Sequence, residues 1–405
     1  MLSGGERFAV QPGLVSRLIA PGFRTIIDRI DRGLEKGSML AHLPDGTSRM
    51  LGGRNPGFEA ELTLHDWRAL IRLATSGSVG WYQAYEAGEW SAADMVTLFA
   101  VMGDNVRTLG NAARSSGPFK WLARLAHWLN RNNRAGSARN ISAHYDLGND
   151  FYAAWLDPSM AYSSGFAWGE DGLEGAQKRK FDAISRRLGP AKTVLEIGCG
   201  WGGLARHIAS TGASTGAEVT AISLSDQQLA FARADNPAHI TFRKQDYRDV
   251  EGAYDGIASV EMVEALGREY WPEFMDCVAR NLTCGGKAAL QYIAMDDDLF
   301  EAYAGTVDFI QAHVFPGGLL IKTSEFRALA EARGLSWRDQ TDFGLDYAET
   351  LKAWRRNFDQ AVEAGRLPPG FDERFVRLWR FYLDYCEGGF RAGNINVHQV
   401  TLVKN

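Results

Sequence analysis

The sequence predicts an α/β catalytic region, a mostly parallel sheet with helices on both faces, preceded by a smaller mixed α+β domain. Three observations predict it. From residue 193 onward, short apolar strands alternate with helices across brief connections, the pattern of a parallel sheet covered on both sides. The first of these strands runs into a cluster of glycines that opens into a helix. The first hundred residues lack that alternation and show a hairpin, a further strand and separate helical stretches.

Taken in order, residues 38–43 and 47–51 flank a Pro44–Asp45–Gly46 turn and read as a hairpin. Residues 59–64 read as another strand, and 65–75 and 92–101 as helices. This accessory domain is assigned residues 1–106 and carries no catalytic pattern. Residues 107–143 form a basic linker. Seven cations (Arg107, Arg114, Lys120, Arg124, Arg131, Arg134 and Arg139) and no acid fall between Asn105 and Tyr145. Within it Phe119, Trp121, Leu122, Leu125, Trp128 and Leu129 recur at helical spacing, with Arg124 and Arg131 on the other side. Such a helix suits an anionic membrane surface, where apolar burial and headgroup attraction add, or packing between domains. Residues 144–405 form the catalytic domain, with strands at 193–197, 218–223, 240–245, 256–260 and 287–293 and intervening helices from 203, 225 and 270.

A chain of 405 residues, 45% hydrophobic and 23% charged, is globular in composition, which excludes wholesale disorder. No apolar run reaches the roughly 18 residues that span a bilayer, and the start, MLSGGER, lacks a signal-peptide core. Cys199, Cys277, Cys284 and Cys386 form no CxxC pair and read as cytosolic thiols. The net charge of −5 argues against nucleic-acid binding. Asp296, Asp297 and Asp298 read as a solvated loop, so no metal is expected. Nothing decides the oligomeric state, which leaves a homodimer open.

The stretch from Val194 to Gly203 reads VLEIGCGWGG. Gly198, Gly200 and Gly202 allow a tight turn and close approach of a ligand to the backbone. A dinucleotide fingerprint would be G-x-G-x-x-G. The spacing here is E-x-G-x-G-x-G, the form found in S-adenosylmethionine-dependent methyltransferases, with Glu196 placed to orient the cationic end of the ligand.

Further segments carry a more specific likeness: HYDLGNDFY at 144–152, MAYSSG at 160–165, SLSDQQ at 223–228, QDYRD at 245–249, FPGG at 315–318, FGLDY at 343–347 and FRAG at 390–393. With the glycine loop they resemble the cyclopropane-fatty-acid synthase family, which includes the mycolic acid cyclopropane synthases. The segment VGWYQAYEAGEW at 79–90 resembles the accessory domain of the longer bacterial members. The resemblance implies a class I methyltransferase fold, Rossmann-like, with seven strands and the last, near 396–403, antiparallel beside the fifth. It implies methyl transfer from S-adenosylmethionine to a cis double bond of a phospholipid acyl chain, by a cytoplasmic enzyme peripheral to the inner membrane surface. The chemistry demands a dry near-attack geometry, aromatic faces for the carbocation that results and an apolar channel for the chain.

By position, the resemblance assigns Tyr162, Ser163, Glu196, Gly198, Gly200, Gly202, Ser223 and Gln228 to the cofactor, with Asp246, Tyr247 and Arg248 enclosing the adenine. In the family a bound bicarbonate helps to deprotonate the carbocation. Glu264 and Tyr347 stand at matching cradle positions, and Ile293 supplies a backbone group. The chain departs elsewhere: Ser164 replaces the family's Cys, Gln291 its strand His, and Ala265 the His after its Glu. Ser and Gln still hydrogen-bond, but Gln does not titrate. Either the cradle tolerates them and makes cyclopropane, or proton removal is displaced. The second alternative gives a methyl-branched, methylene or shifted-alkene chain of the furan-fatty-acid-precursor type, and the two replacements favour it. A non-catalytic lipid-binding protein and a small-molecule methyltransferase are the contrasting classes. The glycine loop argues against the first, and the basic tryptophan segment against the second.

Overall fold

The computed structural model describes residues 14–110, 147–210, 216–234 and 237–405. The chain divides into two compact units, Met1–Ala123 and Arg124–Asn405. The predicted basic tryptophan helix, including Arg124 and Arg131, lies outside the described residues, as do His144 and Asp146. Among the described residues no helix is long and apolar enough to cross a membrane.

The first unit is built on a four-stranded sheet. Strands β1 (Lys36–His42) and β2 (Ser48–Gly52) form the expected antiparallel hairpin. Its turn is closed by Gly46 N–H donating to Leu43 O, while the Asp45 carboxylate accepts from the backbone and hydroxyl of Thr47. Strand β3 (Asn55–Leu64) pairs parallel to β1 on its other side, and β4 (Trp90–Ala92) closes the sheet antiparallel to β3. The helices lie at Leu14–Gly33, Arg68–Glu86 and Met95–Asp104. The first was not anticipated. The second runs eleven residues past its predicted end at 75, because Gly77 (φ 58°) introduces a break without ending it. Trp81 and Trp90 stack 4.3 Å apart in the core.

The second unit carries the long sheet. Its strands are β5 (Thr193–Ile197), β6 (Glu218–Ser223), β7 (Ile240–Lys244), β8 (Tyr254–Val260), β9 (Leu282–Met295), the two-residue β10 (Ile321–Lys322), β11 (Leu335–Asp342) and β12 (Ile395–Lys404). Their order is β11-β12-β9-β8-β5-β6-β7, with β10 paired parallel to β9. Strands β5 to β9 run parallel. Strand β12 lies antiparallel to the fifth strand, β9, with Val397 opposite Ile293, and β11 lies antiparallel to β12. Three details of the sheet differ from expectation. Strand β11 was not placed, short β10 makes an eighth strand, and β9 begins at Leu282, directly from the helix Trp271–Asn281.

Strands β5, β6 and β8 are rich in apolar and β-branched residues and mostly buried on both faces, as an internal parallel sheet requires. One face packs on Trp271, Phe274, Phe300 and Phe326. The other packs on Phe181, Ile184, Leu204 and Leu229. Strand order reverses at β5, which has β6 on one side and β8 on the other. That is where an open α/β sheet leaves a crevice beyond its strand ends.

Candidate active site

The cavity at this reversal is lined by Tyr162 and Ser163, by Glu196, Gly198 and Gly200 from the β5 loop, by Ser223 and Gln228 from β6 and its helix, and by Asp246, Tyr247 and Arg248 after β7. The loop is pinned to β6 by Gly198 and Cys199 N–H groups, each donating to Ile222 O at 3.0 Å. Gly200 has φ 52°, and a Cβ added there would come no nearer than 4.0 Å to any atom, that one being Gln228 Nε2. It faces open cavity. Gly202 is the exception among the cofactor assignments, for it does not line the cavity. Its left-handed φ of 84°, and a Phe242 ring that would stand 2.7 Å from an added Cβ, make it a packing glycine. Gln228 is oriented by Ser223, whose hydroxyl donates to Oε1 at 3.1 Å and leaves the amide NH2 to donate elsewhere. Asp246 is engaged by Arg248 through its backbone N–H, Nε and Nη2 at 2.6–3.0 Å.

Glu196 is 4% exposed, and its Oε2 has no hydrogen-bond partner. Burial pushes its carboxyl up to about 8, although Arg206 and Lys180 pull the other way. Cys199 is a buried small filler whose thiol burial raises well above its usual range.

The remaining assigned residues lie beside the cavity and meet it through a residue the sequence reading left unassigned. Glu261, just after β8, lines the cavity, and its Oε1 accepts from Ser164 N–H at 2.9 Å and Gln291 Nε2 at 2.7 Å. The Tyr347 phenol faces it as well, and burial beside the Glu261 charge raises that phenol well above its usual range. Gln399 Nε2 donates to Gln291 Oε1 at 2.9 Å, which turns the Gln291 NH2 toward Glu261. Glu261 adopts φ 48°. A left-handed backbone at a residue other than glycine costs about 1–3 kcal/mol and is characteristic of functional sites. Glu264 follows in a 3-10 turn, Val263–Ala265. Its Oε1 accepts from Ile293 N–H, and its buried Oε2 has no partner. Glu261 keeps some surface on the cavity and Glu264 does not line it, and for both carboxyls desolvation dominates. Glu264 is pushed up to about 8 by burial and then by the Glu261 charge. Burial also raises Glu261, against the Gln291 hydrogen bond and the Lys180 charge. Aromatic rings stand alongside: Tyr162 and Trp354 lie 5.3 Å apart, Tyr347 and Phe390 4.6 Å, and the Tyr162 and Tyr382 hydroxyls share a 2.9 Å hydrogen bond.

The family model described as mycolic acid cyclopropane synthetase matches residues 132–400. The chain belongs to this family. It is 35% identical over 399 residues to the tuberculostearic acid methyltransferase UfaA1 of Mycobacterium tuberculosis, spanning 90% of this chain and 88% of that protein. It is 33% identical over 335 residues to the cyclopropane-fatty-acyl-phospholipid synthase of Escherichia coli, spanning 81% and 84%. The solved mycolic acid cyclopropane synthase CmaA1, complexed with SAH and CTAB, superimposes with a TM-score of 0.61 at 27% identity, over 66% of this chain and 98% of that one. The chain is therefore an S-adenosylmethionine-dependent methyltransferase with the class I fold.

As a member of the mycolic acid cyclopropane synthetase family, the chain fits the cofactor. Glu196 presents an unpartnered oxygen to a cationic amine, Gly200 leaves ligand space and Gln228 offers a donor to ribose hydroxyls. The bicarbonate that the resemblance implied does not fit. Two donors at its cradle positions, Ser164 N–H and Gln291 Nε2, are already on the chain's own carboxylate, Glu261, which the Tyr347 phenol also faces. The Ser164 hydroxyl donates instead to Gly165 O at 2.7 Å. A second anion would face the Glu261 carboxylate with both of these donors already engaged. The signal for Glu261 was in the sequence, an acid closing the fourth parallel strand three residues before another.

A stability consequence follows. Glu196 and Glu264 are each raised from 4.5 to about 8 on folding. A raised carboxyl contributes stability in full below its unfolded value and loses it as pH rises through the folded value. The ligand-free melting temperature is expected to fall between pH 5 and pH 8.5, and to fall less in Glu264→Gln. A flat pH dependence in both would contradict the buried, protonated carboxyl.

Proposed function

We propose that the chain methylates a cis double bond of a phospholipid acyl chain and that Glu261 takes the proton, giving a methylated alkene or methylene chain rather than a cyclopropane. The observation that carries this is the Glu261 carboxylate, held by two donors, Ser164 N–H and Gln291 Nε2, at the cofactor cavity. S-adenosylmethionine, when bound, supplies an electrophilic methyl group on a sulfonium. The glycine loop, Gln228 and Glu196 orient it. The alkene π electrons form the new C–C bond as the C–S bond breaks, and the positive charge passes to the acyl chain. The ring of Tyr162, which lines the cavity with Trp354 packed 5.3 Å behind it, offers its π surface to that charge and excludes water from it.

Closing a cyclopropane requires the proton to leave from the transferred methyl with ring formation at the cation. A 1,2-hydride shift that moves the cation onto the methyl-bearing carbon, followed by loss of a proton from that methyl, leaves a methylene group, and loss from the CH2 next to the unshifted cation leaves a shifted alkene. A base fixed to the chain at one point selects one of these protons by its position, which a diffusible anion held in a cradle does not do in the same way. The relatives named above include both product types: a tuberculostearic acid methyltransferase and a cyclopropane synthase. Burial of Glu261 raises its basicity, and Glu264, protonated near neutral pH, lowers the repulsion beside it.

Expression in a host lacking its own cyclopropane synthase, followed by mass analysis of fatty-acid methyl esters, tests this reading. The expected product is one methylene unit heavier than the unsaturated precursor and still takes up hydrogen on catalytic reduction. A saturated ring product that resists hydrogenation under those conditions would overturn it.

A further inference from the structure

Lys180 lies on the helix Gly172–Leu188 and is 0% exposed. A buried ammonium is costly unless its charge is answered. Lys180 Nζ donates to Ser163 Oγ at 2.5 Å, a neutral acceptor, and among the described residues it forms no ion pair. The carboxylates that face it at longer range are Glu261, Asp157 and Glu196. Asp157 is occupied by Ser159 N–H at 2.9 Å and Ala161 N–H at 3.3 Å, and Glu196 also faces Arg206.

The segment Lys180 holds is the one that joins the two halves of the site. Tyr162 and Ser163 line the cofactor cavity, and the next residue, Ser164, gives its N–H to Glu261. Gln177, one turn before Lys180, donates to Ser163 O at 2.9 Å. Thr350 accepts from Gly165 N–H at 3.0 Å on the far side. We propose that Lys180 is a positioning residue for deprotonation: its ammonium fixes Ser163, and through Ser164 the base, and its charge keeps Glu261 a carboxylate. The inference rests on the assignment of Glu261 as base. The charged and titratable groups that face Glu261 are Lys180 from this helix, Tyr347 from the helix Gly344–Glu363 and Glu264 from its own turn. Lys180 is the cation among them. Burial lowers the lysine to about 8, against the pull of Glu261, so it stays charged at neutral pH.

The test compares the pH profile of kcat for the full-length enzyme with those of Lys180→Met and Lys180→Arg on unsaturated phospholipid vesicles. Removing the cation raises the pH at which Glu261 ionises. Lys180→Met is expected to move the acid limb of kcat upward by about one pH unit, a loss of about tenfold at pH 7 that is recovered at pH 9. The KM for S-adenosylmethionine stays within about threefold. Lys180→Arg keeps the acid limb at its original position. An unmoved acid limb in Lys180→Met, or a loss uniform across pH, would make the lysine a packing residue and overturn the proposal. If Lys180→Met does not bind SAH, Lys180→Gln is read in the same way, and failure of both to fold also overturns it. The two readings fail separately. The product of the unaltered enzyme and the activity of Glu261→Gln report on the base, and the acid limb of Lys180→Met reports on the lysine.

Discussion

Glu261→Gln is expected to lower kcat by about 10²–10⁴-fold, the usual worth of a positioned base, with SAH affinity within about threefold of the unaltered enzyme. The amide oxygen still accepts from Ser164 N–H, so the local backbone is held as before. An amide takes no proton, and the interaction lost is made only around the cation, so the loss falls on turnover rather than on ground-state binding. Glu264→Gln supplies the contrast. Its Oε1 contact to Ile293 N–H survives and its carboxyl is already protonated near neutral pH, so the expected fall is within about tenfold. Single-turnover assays with SAH calorimetry measure both quantities. Equal losses in the two variants, or Glu261→Gln within tenfold of the unaltered enzyme, would move the base elsewhere.

Gly200→Leu is expected to weaken SAH binding by at least about 100-fold, roughly 2.7 kcal/mol, while the fold survives. A Cβ at this position meets nothing within 4 Å except Gln228 Nε2 at that limit, so the new side chain fills cavity rather than protein. The positive φ of 52° adds strain of about 1 kcal/mol, which lowers the melting temperature by a few degrees without unfolding the domain. Gly202→Leu differs, because its side chain strikes the Phe242 ring. That variant loses the fold first and binding as a consequence. Calorimetry beside thermal melts separates the two routes. Unchanged SAH affinity in a folded Gly200→Leu would remove this loop from the cofactor site.

The elements most legible in the sequence were those whose physics is local. The strand at 193–197 and its glycine loop show in a few residues, because a buried parallel strand is continuously apolar and a tight turn needs glycine. The same local logic exposed the Pro44–Asp45–Gly46 hairpin. Helix length was less legible. Residues 76–86 continue the helix past a glycine break because the apolar face of the helix packs, burying Trp81 and Tyr82, and packing is not written in propensity. Strand β11 was overlooked for a related reason. It is an edge strand with a largely exposed pattern, and its pairing with β12 is antiparallel and distant in sequence.

The sequence by itself determined the α/β class and the methyltransferase glycine loop, which are matters of residue type at a short spacing. Its resemblance to the family pointed to ten residues that line the cavity and to the departures at Ser164 and Gln291. Only the tertiary structure decided what those departures mean. Ser164, Gln291 and Tyr347 come from a loop, a central strand and a distant helix; the first two donate to Glu261 and the third faces it. Glu261 in turn is recognisable as the acceptor of those two donors only once β8 lies beside β9 and its carboxylate is withdrawn from water. Lys180 is the same kind of residue: in sequence it is one more cation on a helix, and it acquires a role because the fold buries its ammonium against Ser163. Convergence of side chains across elements and the desolvation that shifts their protonation are properties of the packed molecule, and no local pattern encodes them.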